Sequence, residues 1–251
     1  MLEVSGITQI FGGVTALEDV SFSITKGDIT GVIGPNGAGK TTLFNIISGI
    51  YRQSAGTVKL EGKDITGLPP EKLARRAMVR TFQNIELFGG MSVHENVMVG
   101  MHTNSSSGLL ACALKMPWSL SEEHRIRTAA MKWLEFTGIS DLADLTAGNL
   151  PFGKGRLLEI ARALAVEPRI ILMDEPAAGL NSQETFALAQ LIKRIRDLGI
   201  TVVLVEHDME LVMDICDRII VLNLGKKLAE GTPRHIQESL EVIAAYLGDD
   251  D

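Results

Sequence analysis

The run GPNGAGKTT, Gly34 to Thr42, constrains this chain more than any other stretch, because it lies between the apolar segment ITGVI and the helical pattern LFNII. Glycines at 34, 37 and 39 let the backbone wrap so that successive N–H groups face one anion. The start of the following helix adds the positive end of its dipole. Lys40 extends this cradle toward the β and γ oxygens of a triphosphate, and the Thr41 hydroxyl is a candidate ligand for Mg2+. Pro35, Asn36, Ala38 and Thr42 complete the loop and its helical exit. The flanking strand and helix are what separate this reading from a glycine-rich turn with an exposed lysine.

A phosphate cradle needs acids near it, and RIILMDEP, Arg169 to Pro176, is a buried-strand pattern that ends on two. Asp174 would stand by Mg2+. Glu175, not consumed by the metal, is the candidate general base for an attacking water. Taken alone, a strand ending in solvated carboxylates accounts for this segment equally well. His207, after ITVVLVE, is either a γ-phosphate donor or a structural histidine at a strand end. Gln83, in RTFQNIELF, either completes a metal shell and positions water or is a polar loop residue. Phe11 stacks on a base or packs on a neighbouring edge. Trp133 falls on the apolar stripe of its helix with Ile126 and Ala130, and Met173 belongs to the buried strand, so both read as core.

The rest of the chain alternates. LEVSGITQIF, VSFSIT and TVKLEGKDI read as strands and hairpins, and TTLFNIISGI as a helix with Gly49 near its end. Between Ile85 and Glu167 the texture turns helical, with a Ser119-x-x-Glu122 capping box expected before a helix that closes on Gly138. HTNSSSG at 102 to 108 reads as an exposed loop. After Glu167, strand and helix alternate again: IILMD, NSQETFALAQLIKRIRDLG, ITVVLVEHD, MELVMDICD, and a hairpin turning at Leu224-Gly225. GDDD at the end reads as a solvated tail.

Composition excludes several classes. A formal net charge of −7 does not fit the basic face that nucleic-acid binding leaves, so no nucleic-acid partner is expected. No apolar run is long enough to span a bilayer, and MLEVSGITQIF lacks the charged and apolar regions of a secretory leader. A membrane, if involved, is expected to come with another chain. Cys112 and Cys216 have no Cys or His cluster nearby and read as reduced thiols of a cytosolic protein.

Taken in order, GPNGAGKTT, Gln83, LPFGKG at 150 to 155, ILMDE, AGLN at 178 to 181 and His207 make the whole chain resemble the ATP-binding subunit of ABC transporters. The resemblance implies an α/β fold: a P-loop NTPase core, a mixed sheet with helices, over residues 1–84 and 167–251. An N-terminal antiparallel β subdomain joins it, and an α-helical subdomain is inserted at 85–166. It implies ATP and Mg2+ as cofactors, held by the Gly34–Thr42 loop and by Thr41, Gln83 and Asp174. Glu175, His207, Lys40 and Gln83 are the implied catalytic set, with Phe11 against adenine.

LPFGKG stands where that family carries its L-S-G-G-Q signature, ahead of the helix RLLEIARAL. Leu150, Pro151, Phe152, Gly153 and Lys154 align with it. Backbone N–H groups at a helix start survive, with Gly153 permitting close approach. Pro151 replaces the serine hydroxyl and has no N–H of its own, Lys154 replaces glutamine, and Asn181 takes the usual aspartate place in the D-loop. In the family this signature closes on the nucleotide of a second ATPase subunit. The implied partners are therefore that subunit, integral permease subunits and an extracytoplasmic substrate-binding protein, at the cytoplasmic face of the inner membrane. RTFQNIELFGGMSVHENVMVG and AEGTPRHI look most like branched-chain amino-acid importers, with urea uptake and lipid export as related cargoes. A non-transport ABC ATPase, a stand-alone P-loop kinase and a nucleotide sensor without turnover are the other classes.

Overall fold

Strands β3 (Ile29–Ile33), β7 (Ile170–Asp174) and β8 (Thr201–Val205) are buried along their whole length, which is why each reads as a nearly continuous apolar run. The computed structural model describes residues 1–101 and 117–247. HTNSSSG, Cys112 and GDDD lie outside the described residues. The buried strands sit inside a six-stranded sheet completed by β6 (Met78–Thr81), β9 (Arg218–Asn223) and β10 (Lys226–Gly231), in the order β10-β9-β3-β8-β7-β6. All pairings are parallel except the β9–β10 hairpin, so the sheet is mixed as expected. That hairpin turns at Leu224 and Gly225, both at positive φ.

Period-two side-chain alternation divides each central strand between two cores. Val32, Ile170, Leu172, Val203, Val205, Ile220 and Leu222 point to one face. There they meet α1 (Lys40–Ile47) and an antiparallel sheet of order β2-β1-β4-β5. That sheet is built from β1 (Leu2–Phe11), β2 (Val14–Ile24), β4 (Ala55–Leu60) and β5 (Lys63–Asp64), with β4 and β5 joined at Glu61-Gly62. Ile29, Ile171, Met173, Val202, Leu204, Ile219 and Val221 point the other way, against helices that follow β6, β7 and β8 in the chain.

A third cluster lies among α3 (Val93–Met101), α4 (Pro117–Thr137) and α5 (Phe152–Leu164), where Val97, Ala130, Leu134, Leu158 and Ala161 meet. Helix α5 belongs to two cores at once, because its Ile160 and Leu164 face the main sheet. Trp133 is half-buried, edge-on to Phe136, and Met173 is fully buried.

Two local expectations change. Helix α4 runs Pro117–Thr137, so Ser119 sits inside it and is not its N-cap. The capping boxes lie elsewhere, at Ser92/Glu95 ahead of α3 and at Asn181/Glu184 ahead of α6 (Ser182–Asp197). Strand β6 has no counterpart in the sequence reading, since MVRT carries an arginine in a short run. Gly138, at φ 73, does end α4.

Candidate functional site

The carboxyl ends of β3, β6, β7 and β8 point to one rim, because the strands are parallel, and every loop of interest leaves from there. After β3 the chain enters GPNGAGKTT. Gly34 lies so flush on β9 that a Cβ would fall 2.1 Å from the Leu222 carbonyl oxygen, so no other residue fits. Gly39 caps α1 in a left-handed conformation, and no side chain caps this helix. Its leading N–H groups are thus left for an outside acceptor. The Lys40 ammonium donates to the carbonyls of Gly34 (2.6 Å) and Pro35 (2.8 Å) and so spans the loop. Burial lowers its pKa, while the charge on Glu175 pulls it back up. Asn36 and Gly37 form the exposed crest; Thr41 is exposed and Thr42 half-buried in the first helical turn.

Beyond β7, Asp174 is buried and Glu175 takes φ 45, a left-handed conformation uncommon for a non-glycine residue. Its N–H still bonds the Val205 carbonyl (2.9 Å), so the bend comes at the end of an intact ladder. Strain of this kind persists only where neighbours enforce it, and it clusters at active sites. The Glu175 carboxylate is met by two expected partners: Gln83 donates to Oε2 from 2.8 Å, and His207 Nδ1 stands 3.7 Å from the same oxygen. Asp174 is engaged differently, by the Arg80 guanidinium at 2.6 Å.

The loops carrying Glu175 and His207 are tied together by Glu206. This fully buried carboxylate accepts from the N–H groups of Ala177 (2.8 Å), His207 (3.1 Å) and Asp208 (3.4 Å). Burial raises its pKa against those hydrogen bonds. A second tie runs from α5 to the Gln83 loop. Arg156 donates to the carbonyls of Phe82 and Gln83, both at 2.7 Å, and Glu159 accepts from the Phe82 N–H at 3.0 Å. The two side chains bond each other inside the helix (2.7 Å), which offsets the cost of burying both charges.

LPFGKG opens α5. Pro151 is the N-cap residue, with no side-chain hydrogen bond, so this helix start is uncapped as well. It lies against the loop after Glu175: a Cβ on Gly179 would touch the Phe152 ring at 2.9 Å, and one on Gly153 would fall 2.3 Å from Glu184 Oε1. Among the described residues no hydrogen bond joins it to the Lys40 loop of its own chain. Asn181 accepts from the Gln183 and Glu184 N–H groups, both at 3.0 Å, which explains how asparagine serves in that place: it caps α6. Phe11 is 44% exposed and edge-on to Tyr51, with ring centroids 5.6 Å apart. Its edge packing is therefore present, and its outer face is open.

These groups fit a magnesium-bound triphosphate. An uncapped helix start, a lysine over the loop and a buried carboxylate face one rim. Among the described residues no cluster of three His, Cys, Asp or Glu side chains could hold a metal alone. A divalent ion at Asp174 would take the rest of its shell from a hydroxyl and from phosphates, the habit of Mg2+.

The sequence family described as ABC transporter matches residues 17–178. The chain belongs to the ABC transporter family. A second family, described as branched-chain amino acid ATP-binding cassette transporter, matches residues 226–251. The high-affinity branched-chain amino acid transport ATP-binding protein BraF of Pseudomonas aeruginosa is 45% identical over 99% of this chain and 98% of its own. LivG of Escherichia coli, of the same description, is 44% identical over the same shares. Among solved structures, a nucleotide-free ATP-binding cassette from an ABC transporter superposes with TM-score 0.86 at 35% identity, covering 99% of both chains. A dimeric cassette in a post-hydrolysis state with ADP and phosphate gives 0.77 at 27% identity, over 93% of this chain and 99% of that one.

Within this ABC cassette the structure brings together Lys40, Gln83, Asp174, Glu175 and His207. It leaves Leu150 to Lys154 and Asn181 on a separate face. Arg80, Arg156, Glu159 and Glu206 escaped the sequence reading. Each is a charge inside an apolar run, MVRT, RLLEI or VVLVE, and that incongruity was the available signal.

Proposed function

We infer that this chain is the ATP-hydrolysing subunit of an ABC importer for branched-chain amino acids, working as a dimer of cassettes on the cytoplasmic face of the inner membrane. The observation that carries the chemistry is the Glu175 carboxylate, free of Arg80 and held between Gln83 and His207. The Lys40 loop and the α1 amides hold the phosphates of ATP. Thr41, Gln83 and Asp174 are the residues that would hold Mg2+, which supplies charge neutralisation when bound. Glu175 accepts a proton from water as its oxygen attacks the γ-phosphorus; the bond to ADP breaks and the electron pair leaves on the β-phosphate oxygen. His207 stands ready to donate to the γ oxygens, and Phe11 to stack on adenine.

Completion of the site falls to a second cassette. The α5 start, with Gly153 and the Lys154 charge, would close on the nucleotide of that partner, and Pro151 contributes no hydroxyl there. Residues 85–166 form the inserted helical subdomain of this reading, and 1–84 with 167–251 its core. Permease subunits are proposed to dock in an apolar cleft of about 540 Å3 between the two, lined by Ile50, Leu73, Phe82, Leu87, Phe88 and Arg162. That cleft is lined by Phe82, next to Gln83, so a docked permease and the Glu175 carboxylate would share the Gln83 loop. An extracytoplasmic binding protein would deliver the amino acid to those permeases. Among the described residues no helix is long and apolar enough to cross a membrane.

The test is phosphate release from Mg-ATP by the purified chain, alone and with its permease. Turnover that rises with cassette concentration, and is stimulated by leucine-loaded binding protein in the reconstituted system, is expected. Nucleotide binding without any phosphate release would reduce the chain to a sensor.

A further inference from the structure

Arg80 is the least expected residue at the rim. It stands on β6 opposite Leu172 of β7, two residues before Phe82 and three before Gln83, with its side chain 6% exposed. One terminal nitrogen donates to Asn45 Oδ1 of α1 and to Oγ of its C-cap residue Ser48, each at 2.7 Å. The other donates to Asp174 Oδ2 at 2.6 Å. The guanidinium carbon lies 5.0 Å from the Phe82 ring centre and 5.7 Å from that of Phe44. The Nε atom is buried with no hydrogen-bond partner.

A buried cation with an unmet donor is expensive unless an anion stands beside it. Asp174, 9% exposed, is that anion. The pair therefore cancels a carboxylate charge at the place where the nucleotide reading puts Mg2+. One carboxylate oxygen is taken, leaving Oδ1 for other partners.

We propose that Arg80 is the resident counter-ion of Asp174, a positioning residue that makes the site receptive to nucleotide before metal. The reasoning is electrostatic. Without Arg80, a bare Asp174 carboxylate would face an incoming polyphosphate and repel it, and a buried charge at a few ångströms is only weakly screened. A bound dication would replace the missing cation and hide the defect. Removal of Arg80 should thus hurt metal-free nucleotide binding far more than metal-bound binding. A purely structural ion pair would hurt both alike. Through Asn45 and Ser48 the same guanidinium fixes α1, so that the phosphate loop, Asp174 and the strand leading to Gln83 share one cation.

This inference rests on the nucleotide reading above, and ADP binding by calorimetry separates the two. If the unaltered protein binds no ADP with Mg2+, the nucleotide reading fails first. If it binds, Arg80→Met is expected to weaken ADP binding about tenfold in EDTA, and no more than about threefold with Mg2+. Arg80→Lys, which keeps the charge, should stay near the unaltered protein in both conditions. Asp174→Asn leaves Arg80 unopposed and should tighten ADP binding in EDTA severalfold. The double variant Arg80→Met, Asp174→Asn has no buried charge to lose, so it should recover EDTA binding and fold even if Arg80→Met alone does not. Equal losses with and without Mg2+, no change in EDTA for Asp174→Asn, or no recovery in the double variant would each overturn the counter-ion role.

Discussion

Helices α1 and α5 both begin without a side-chain cap, Gly39 preceding the first and Pro151 the second, but the charges around α1 gather at the rim, whereas Arg156 and Glu159 of α5 turn inward to the Gln83 loop. At the rim Lys40 bonds its own loop, Asp174 bonds Arg80, and Glu175 is held by Gln83 and His207. At α5 Phe152 is 52% exposed, and the turn is backed by Gly179 and Glu184. Two uncapped helix starts thus differ in their surroundings. In the function proposed here the first holds nucleotide by itself, and the second meets nucleotide held by a partner cassette.

The comparison breaks most sharply at Glu175. If the chemistry belongs to the α1 side, Glu175→Gln should retain ATP binding while turnover falls by about 10²- to 10⁴-fold, measured as phosphate release against nucleotide affinity. Unchanged turnover would move the general base elsewhere. A smaller effect is expected from Gly153→Ala, whose Cβ would push the Glu184 carboxylate off the Asn181 N–H and put a methyl group on the face that would approach the partner's nucleotide. Turnover of the dimer should drop by up to about 100-fold. ADP affinity of the isolated cassette should stay within twofold, and an affinity loss there would mean that α5 serves its own chain's nucleotide.

Asn181→Ala should act on stability alone, lowering it by about 1 kcal/mol through loss of the α6 cap, visible as a lower thermal midpoint. The smallest effect concerns protons. Lys40 titrates below its usual 10.5 in the free loop, and an anionic phosphate beside it raises that value again. In the alkaline window between the two, nucleotide binding takes up a proton, so affinity falls as pH rises through the free-loop value. Calorimetry in buffers of different ionisation enthalpy detects the uptake. Its absence would mean that Lys40 does not meet the phosphates.

Much of this arrangement was legible from the chain. Strands buried on both faces are nearly continuous in apolar residues, so β3, β7 and β8 declare themselves, and GPNGAGKTT is readable because a strand pattern precedes it and a helix pattern follows. Gln83 and His207 are ambiguous from local pattern and are singled out with Asp174 and Glu175 by the family resemblance; the structure places both beside the Glu175 carboxylate. Arg80 could not be singled out, since its partner lies 94 residues away and nothing local announces it. Glu206 looks like the last residue of a strand until the fold brings Ala177 beside it. The misplaced capping box has a similar cause: Ser-x-x-Glu is only a helix start where the preceding backbone is extended, and at Ser119 it is already helical.

Parallel pairing also sets what the opposite rim is worth. The turns that lead into β3 and β8 lie at the strands' amino ends, away from every group discussed above, and a Cβ at Gly27 or Gly199 would meet nothing within 4 Å. Leu198, beside Gly199, is exposed. New chain ends or a grafted reporter peptide opened between Leu198 and Gly199 would therefore sit on the far edge of the same sheet. Movements of the cassette could be followed from there without a label ever approaching the nucleotide.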